Sequence, residues 1–288
     1  MLKFGIVTPV LTLLPRAHAR WEEDAPFAAV VEIAQEAERL GYHHLTCSEH
    51  VSVPVPVAEV RGGRYYDPLA TLGYLAACTS TIRLAVHVLV LGYHHPLAVA
   101  KRYGTLDAVS GGRLVLGVGV GSLHEEFDLL GVPFDDRGTR GDDAMRALRA
   151  ALSQREPAYS GEFYDFSGFV VDPCAVQSHV PLWVGGQSYR SLRRAFELGD
   201  GWAPFGFRSA ELAEMLQRAR DSYERTIDVV LQNERPFDPI TEPERVEEQL
   251  HRFAGIGATH VNVRFVHHSP EHYREQLAAM MDVAARLT

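Results

Sequence analysis

Residues 82–122 read IRLAVHVLVLGYHHPLAVAKRYGTLDAVSGGRLVLGVGVGS, and the order of apolar runs in this stretch decides the fold. From Ile82 to Leu91 the chain is almost continuously aliphatic and rich in Val, with His87 standing inside the run. A parallel strand covered on both faces has this pattern, because neither face meets water. Arg113 to Val120 repeats it. Between the two runs, Pro96 suits the first turn of a helix, where its missing N–H satisfies nothing anyway, and Gly111-Gly112 suit the end. The stretch is therefore a strand, a crossover helix and a second strand. Gly117, Gly119 and Gly121 strip side chains from the end of that second strand, which leaves room for a planar ligand against the backbone.

The same rhythm extends in both directions. Phe4 to Pro9 reads as the first strand, followed by a helix capped by Asp24 with Phe27, Val30, Val31, Ala34, Ala37 and Leu40 on one face. His44 to Cys47 is a short second strand that runs into Ser48-Glu49-His50. Residues 51–66, rich in Pro and Gly, read as a long loop. Asp67-Pro68 opens the next helix. After Gly121 the rhythm breaks: residues 122–181 form an insertion, with a helix from Thr139 to Leu152 and a hairpin from Tyr159 to Val171. Strands then resume at Leu182 to Val184, Gly201 to Phe205, Thr226 to Leu231 and Thr259 to Val266, with a capping box at Thr241 to Glu244 and a helix opened by Ser269-Pro270. Eight strands alternating with helices predict one domain over residues 1–288, a parallel (β/α)8 barrel, with chemistry at the C-terminal ends of the strands.

Composition narrows the function. The formal charge of -9 offers no basic footprint for nucleic acid or an acidic membrane, so a small-molecule substrate is expected. Three cysteines without CxxC spacing indicate neither a disulfide framework nor a zinc site. The opening MLKFGIVTPV enters a strand directly, and no apolar run approaches the ~18 residues of a membrane span; a cytoplasmic protein is expected.

Candidate chemistry lies just beyond the strands. His50 follows strand two, where an imidazole can exchange a proton with a bound heterocycle. His87 lies near the ligand end of strand three and reads equally as a core histidine bonded to a carbonyl. Gly185-Gly186-Gln187-Ser188 offers N–H groups and a hydroxyl at a helix start, an arrangement suited to phosphate. Arg137 and Arg140 suit either a phosphate or pairing with Asp135, Asp136, Asp142 and Asp143, and the solvated-face reading is favoured. The pairs His43-His44, His94-His95 and His267-His268 tempt a metal reading, but neighbours on a strand point to opposite faces and no metal is expected. Neither GxSxG nor a P-loop occurs.

Together, residues 40–50 (LGYHHLTCSEH), 79–96 (TSTIRLAVHVLVLGYHHP), 100–138 and 181–202 (PLWVGGQSYRSLRRAFELGDGW) resemble the bacterial luciferase-like monooxygenase superfamily, and most of all its coenzyme F420-dependent actinobacterial branch. The resemblance implies a luciferase-like (β/α)8 barrel with an isoalloxazine-type ring across its mouth. It also implies a non-prolyl cis peptide at His87-Val88 against that ring, a pair after strand two matched by Glu49-His50, and a phosphate tail held at Gly185, Gly186, Gln187 and Ser188. Gly121 and Ser122 would border the ring. Ser122 stands where glucose-6-phosphate-oxidising relatives carry an acid, and His87 stands where a small residue is common. Members are often homodimers.

The expected activity is hydride transfer with coenzyme F420, with His50 handling a proton and His87 as the alternative. The loop at 51–66 and the insertion would cover the site. The second reading is an FMN-dependent monooxygenase, supplied with reduced flavin by a separate reductase. A metal-dependent barrel hydrolase lacks its HxH after strand one, and a non-catalytic flavin-binding relative would not need His50.

Overall fold

The computed structural model describes residues 1–15 and 17–287. Its elements run β1 (Lys3–Val7), α1 (Phe27–Arg39), β2 (His44–Cys47), α2 (Val55–Arg61), α3 (Pro68–Cys78), β3 (Arg83–Val90), α4 (Pro96–Val109) and β4 (Leu114–Gly119). Next come α5 (His124–Leu130), α6 (Arg137–Ala151) and a short antiparallel ribbon of β5 (Tyr159–Ser160) and β6 (Asp165–Phe166). The chain then continues through β7 (Leu182–Gly186), α7 (Tyr189–Leu198), β8 (Gly201–Pro204), α8 (Ser209–Arg220), β9 (Asp228–Gln232), α9 (Pro243–Ile256), β10 (His260–Val263) and α10 (Pro270–Ala284).

Eight of the strands close into a parallel barrel in the order β1-β10-β9-β8-β7-β4-β3-β2, with the segment from α5 to β6 between barrel strands β4 and β7. The (β/α)8 expectation holds. Alternate residues divide the core. Ala85, Val115, Trp183, Ala203 and Val230 pack in one cluster, while their strand neighbours Leu84, Val86, Leu114 and Leu116 belong to a larger one shared with the helices.

Several local expectations are corrected. Asp24 does not cap α1, whose first turn follows Pro26. Residues 51–66 are not all loop: α2 forms there, because Pro54 precedes it and Pro56 falls in its first turn, where no N–H is required. The box at Thr241 does not form; the Thr241 N–H instead donates to Asp238 Oδ1 at 3.1 Å, and Glu242 makes no side-chain cap. Asp67, Ser188 and Ser269 do cap α3, α7 and α10.

His43 and His44 also depart from strict alternation, because β2 begins at His44 and His43 precedes it. Their Nδ1 atoms lie 3.0 Å apart, and His44 Nε2 donates to Asn262 Oδ1 at 2.6 Å. His44 and His260 pack against Trp183 at the N-terminal end of the barrel, and His43 packs on both of these histidines. Gly5 makes this possible, since a Cβ there would occupy the His44 ring. Burial pushes His43 down to about 4 and His260 to about 3, and holds His44 well below its ordinary value.

Candidate active site

The C-terminal mouth of the barrel encloses a cavity of about 860 Å³. Every barrel strand ends on it: Val7 on β1 with Thr8 after it, Ser48 after β2, His87 on β3, Gly119 on β4, Gly185 on β7, Phe205 after β8, Gln232 on β9 and Arg264 after β10. Glu49, His50, Val88, Gly121, Ser122, Gly186, Gln187 and Ser188 line the same space.

His50 is oriented by a residue that the sequence did not single out. Its Nδ1–H donates to Glu126 Oε2 at 2.8 Å, and its ring packs edge-on to Tyr65 with centroids 4.5 Å apart. Glu126 is 1% exposed and sits on α5. Its carboxylate also accepts from Tyr93 Oη at 2.7 Å and from the N–H groups of Val51 and Ser52 at 2.5 and 3.1 Å. Burial alone would raise this carboxyl; the donors from His50, Tyr93 and Ser52 outweigh it and hold it below the ordinary value. The His50 Nε2 is thereby left to the cavity.

Glu49 is not the partner of His50. Its Oε2 accepts from the Val90 N–H at 2.6 Å and its Oε1 pairs with His94 Nε2 at 2.6 Å, so it fixes the end of β3. The adjacent His87–Val88 peptide is cis, at the position the resemblance implies, and Ser48 Oγ donates to the His87 carbonyl at 2.8 Å. His87 is not bonded to a backbone carbonyl: its Nδ1 is buried without a partner, and burial pushes the ring down to about 4, so it is a neutral imidazole at pH 7.

The glycines at the strand ends serve the chain's own packing. A Cβ on Gly117 would strike the Val86 carbonyl, and Cβ atoms on Gly119 and Gly185 would come within 2.9 and 2.8 Å of Val88 methyls. Gly121, at φ +79, faces Val90 and Phe127. A side chain at these positions would meet Val86, Val88, Val90 or Phe127, while Gly119, Gly121 and Gly185 line the cavity together with Val88.

Between β4 and β7 the first turns of α6 and α7 meet, for a Cβ on Gly138 would lie 3.7 Å from the Arg190 guanidinium. Arg137 and Arg190 line the cavity there beside Ser188. Arg140 pairs with Asp136 at 2.7 Å as expected, but Arg137 does not join an aspartate. It lies 3.7 Å over the Phe134 ring and donates to the carbonyls of Phe134 and Gly121 at 3.0 and 3.3 Å. Two helix N-termini and two guanidiniums favour an anion at this corner, with the Asp135 carboxylate lining the same cavity.

A third group borders the cavity beyond β1 and β10. Glu22 is buried and accepts from the N–H groups of Val10 and Ala19, both at 2.7 Å; burial raises its carboxyl against those two donors. The first bond holds Val10 at φ +73, a left-handed conformation unusual for a β-branched residue. His267 Nε2 lies 3.5 Å from Glu22, and its Nδ1 accepts from Trp21 Nε1 at 2.9 Å.

Comparison with known proteins identifies the architecture. The family model for luciferase-like monooxygenase matches residues 3–281. The chain belongs to the luciferase-like monooxygenase family. An uncharacterized protein of Mycobacterium tuberculosis is 30% identical over 264 residues, covering 86% of this chain and 92% of that one. Among solved structures, monooxygenase RslO1 from Streptomyces bottropensis superposes with a TM-score of 0.82 at 20% identity over 99% of both chains. An F420-dependent secondary alcohol dehydrogenase in complex with an F420-acetone adduct gives 0.78 at 12% identity, over 100% of this chain and 99% of that one. The FMN-bound oxygenating constituent of 3,6-diketocamphane monooxygenase from Pseudomonas putida gives 0.77 at 16%, with the same coverage. At these identities the likeness establishes the fold. Among the described residues, no helix is long and apolar enough to cross a membrane.

Proposed function

We propose that this luciferase-like family member is an oxidoreductase that uses coenzyme F420 to move a hydride to or from a small organic substrate. The observation that carries the reading is the pairing, in one cavity, of a carboxylate-oriented histidine with the Arg137–Arg190–Ser188 corner. The residues fit such a cofactor. Val88 and its cis peptide offer a surface for a planar ring, the buried Nδ1 of His87 has no partner of its own, and Arg137, Arg190 and Ser188 suit a phosphate. When bound, the deazaflavin supplies the hydride chemistry at a ring carbon.

The chain supplies position and proton traffic. His50, held through Nδ1 by Glu126, presents Nε2 to the cavity and gives or takes the proton that accompanies hydride movement. The Glu126 carboxylate stabilises the imidazolium whenever Nε2 is protonated. Neutral His87 would offer such a ring a hydrogen bond without introducing charge. Tyr65 and Arg61, from the segment around α2, line the same cavity.

An FMN-dependent monooxygenase fed by a separate reductase is the second reading. The monooxygenase and FMN-bound structures among the neighbours favour it, and the phosphate corner would serve FMN equally well. Binding of each cofactor to the purified protein, followed by fluorescence, separates the two readings.

A further inference from the structure

Arg264 follows β10 and lines the cavity. Asn233 fixes its backbone from both sides: the Arg264 N–H donates to Asn233 Oδ1, and Asn233 Nδ2 donates to the Arg264 carbonyl, each at 2.8 Å. The guanidinium is far less well satisfied. Its Nη2 donates to the Glu234 carbonyl at 2.5 Å, while Nε is buried without a hydrogen-bond partner. It forms no ion pair among the described residues, and burial lowers its proton affinity with no acid opposing the effect. Arginines withdrawn from water are ordinarily matched to carboxylates. A chain with 37 acidic residues against 28 Lys and Arg has many to offer, yet none of the described ones pairs with Arg264; Glu22, which borders the same cavity, is taken up by the N–H groups of Val10 and Ala19.

Barrel order gives this charge its meaning. Counting round the ring, β10 lies three strands from β7 in one direction and four from β4 in the other, so Arg264 stands across the mouth from the Arg137–Arg190 corner. If that corner holds the cofactor's phosphate, as the proposed function has it, Arg264 faces the remaining space. We propose that Arg264 is the receptor for a carboxylate on the organic substrate, with Gln232 on the neighbouring strand beside it. The second guanidinium and the helix N-termini that suit a dianion belong to the other corner; a single guanidinium with a buried free Nε matches a monoanion. The inference rests on the cofactor reading for the direction of the ligand, and only on Arg264 for its charge.

The test is calorimetric titration of apoprotein and of cofactor-loaded protein with acetate, hexanoate, benzoate, phenylacetate and cinnamate, each against its primary amide at constant ionic strength. At least one acid is expected to bind ~10-fold or more tightly than its amide. R264Q should abolish that preference and R264K should restore part of it, with the Kd for coenzyme F420 within about twofold of wild type and the melting temperature checked for each variant. Equal binding of acids and amides across the panel overturns the proposal, as does a preference that survives in R264Q. A tenfold loss of F420 affinity in R264Q also overturns it, since the anion would then be the cofactor's own. If neither F420 nor FMN binds while an Arg264-dependent acid preference persists in the apoprotein, the cofactor reading fails and the carboxylate receptor stands.

Discussion

His50 Nδ1 lies 2.8 Å from Glu126 Oε2, across 76 positions of sequence, and this bond decides which nitrogen of His50 faces the cavity. A carboxylate on one ring nitrogen fixes the tautomer and leaves the other nitrogen to exchange protons with a ligand. Four donors converge on Glu126, so the pair is held as a unit.

That coupling predicts non-additive kinetics. With a substrate in hand, His50→Ala should lower turnover ~100-fold or more and Glu126→Gln ~10-fold or more, with cofactor affinity little changed. The double variant should be no slower than His50→Ala. In long-range 15N–1H spectra the wild-type His50 should show the Nδ1–H tautomer, and Glu126→Gln should weaken that preference. Additive losses, or an Nε2–H tautomer in the wild type, would remove Glu126 from the mechanism.

The anion corner predicts a selective effect among neighbouring arginines. Arg137→Met and Arg190→Met should each weaken cofactor binding ~10-fold or more, with a shallower salt dependence. Arg140→Met should change little, because Arg140 is already paired with Asp136. Equal effects at all three positions would point to general electrostatics, and no effect at Arg137 and Arg190 would place the phosphate elsewhere.

Glycine replacements should rank by what the new methyl meets. Gly117→Ala collides with the Val86 backbone carbonyl, whereas Gly185→Ala meets a Val88 methyl at 2.8 Å. Both should destabilise by ~1–3 kcal/mol, Gly117→Ala more, because a strand backbone yields less than a side chain. Gly185→Ala should also loosen cofactor binding by tilting Val88. Denaturant unfolding that reverses the order would contradict this packing account.

Acid should weaken the fold through its buried histidines. His43 and His260 fall to about 4 and about 3 in the folded chain, against an ordinary value of 6.5. Between pH 6.5 and about 4 the unfolded chain therefore binds more protons, and stability falls as pH falls. Glu22, raised by burial, opposes this as a single group. His260→Gln should flatten the slope of unfolding free energy against pH in that window; parallel slopes would show that the cluster does not set acid stability.

The barrel was legible because its strands are buried on both faces and its helices start at Pro and Ser; β2 was read with its observed ends. Elements that depend on fewer residues were not. The first turn of α2 hides its prolines where helices tolerate them, and α5 is only 7 residues long. His50 could be picked out by its place after a strand, but Glu126 could not, since nothing local marks a carboxylate whose partners are brought together only by closure of the barrel. Glycines announced a close approach without saying what approaches. Arg137 and Arg140 look alike in sequence and differ only in which side of the α6 start faces the cavity.

The central claim is that this cavity holds a deazaflavin, and the most direct measurement is titration of the purified protein with coenzyme F420 and, separately, with FMN, followed by quenching of ligand or tryptophan fluorescence. The account predicts saturable binding of F420, weakened in Arg137→Met and Arg190→Met, and weaker binding of FMN. Tight binding of FMN with none of F420 would contradict it in favour of the monooxygenase reading, and binding of neither would remove the cofactor assignment itself.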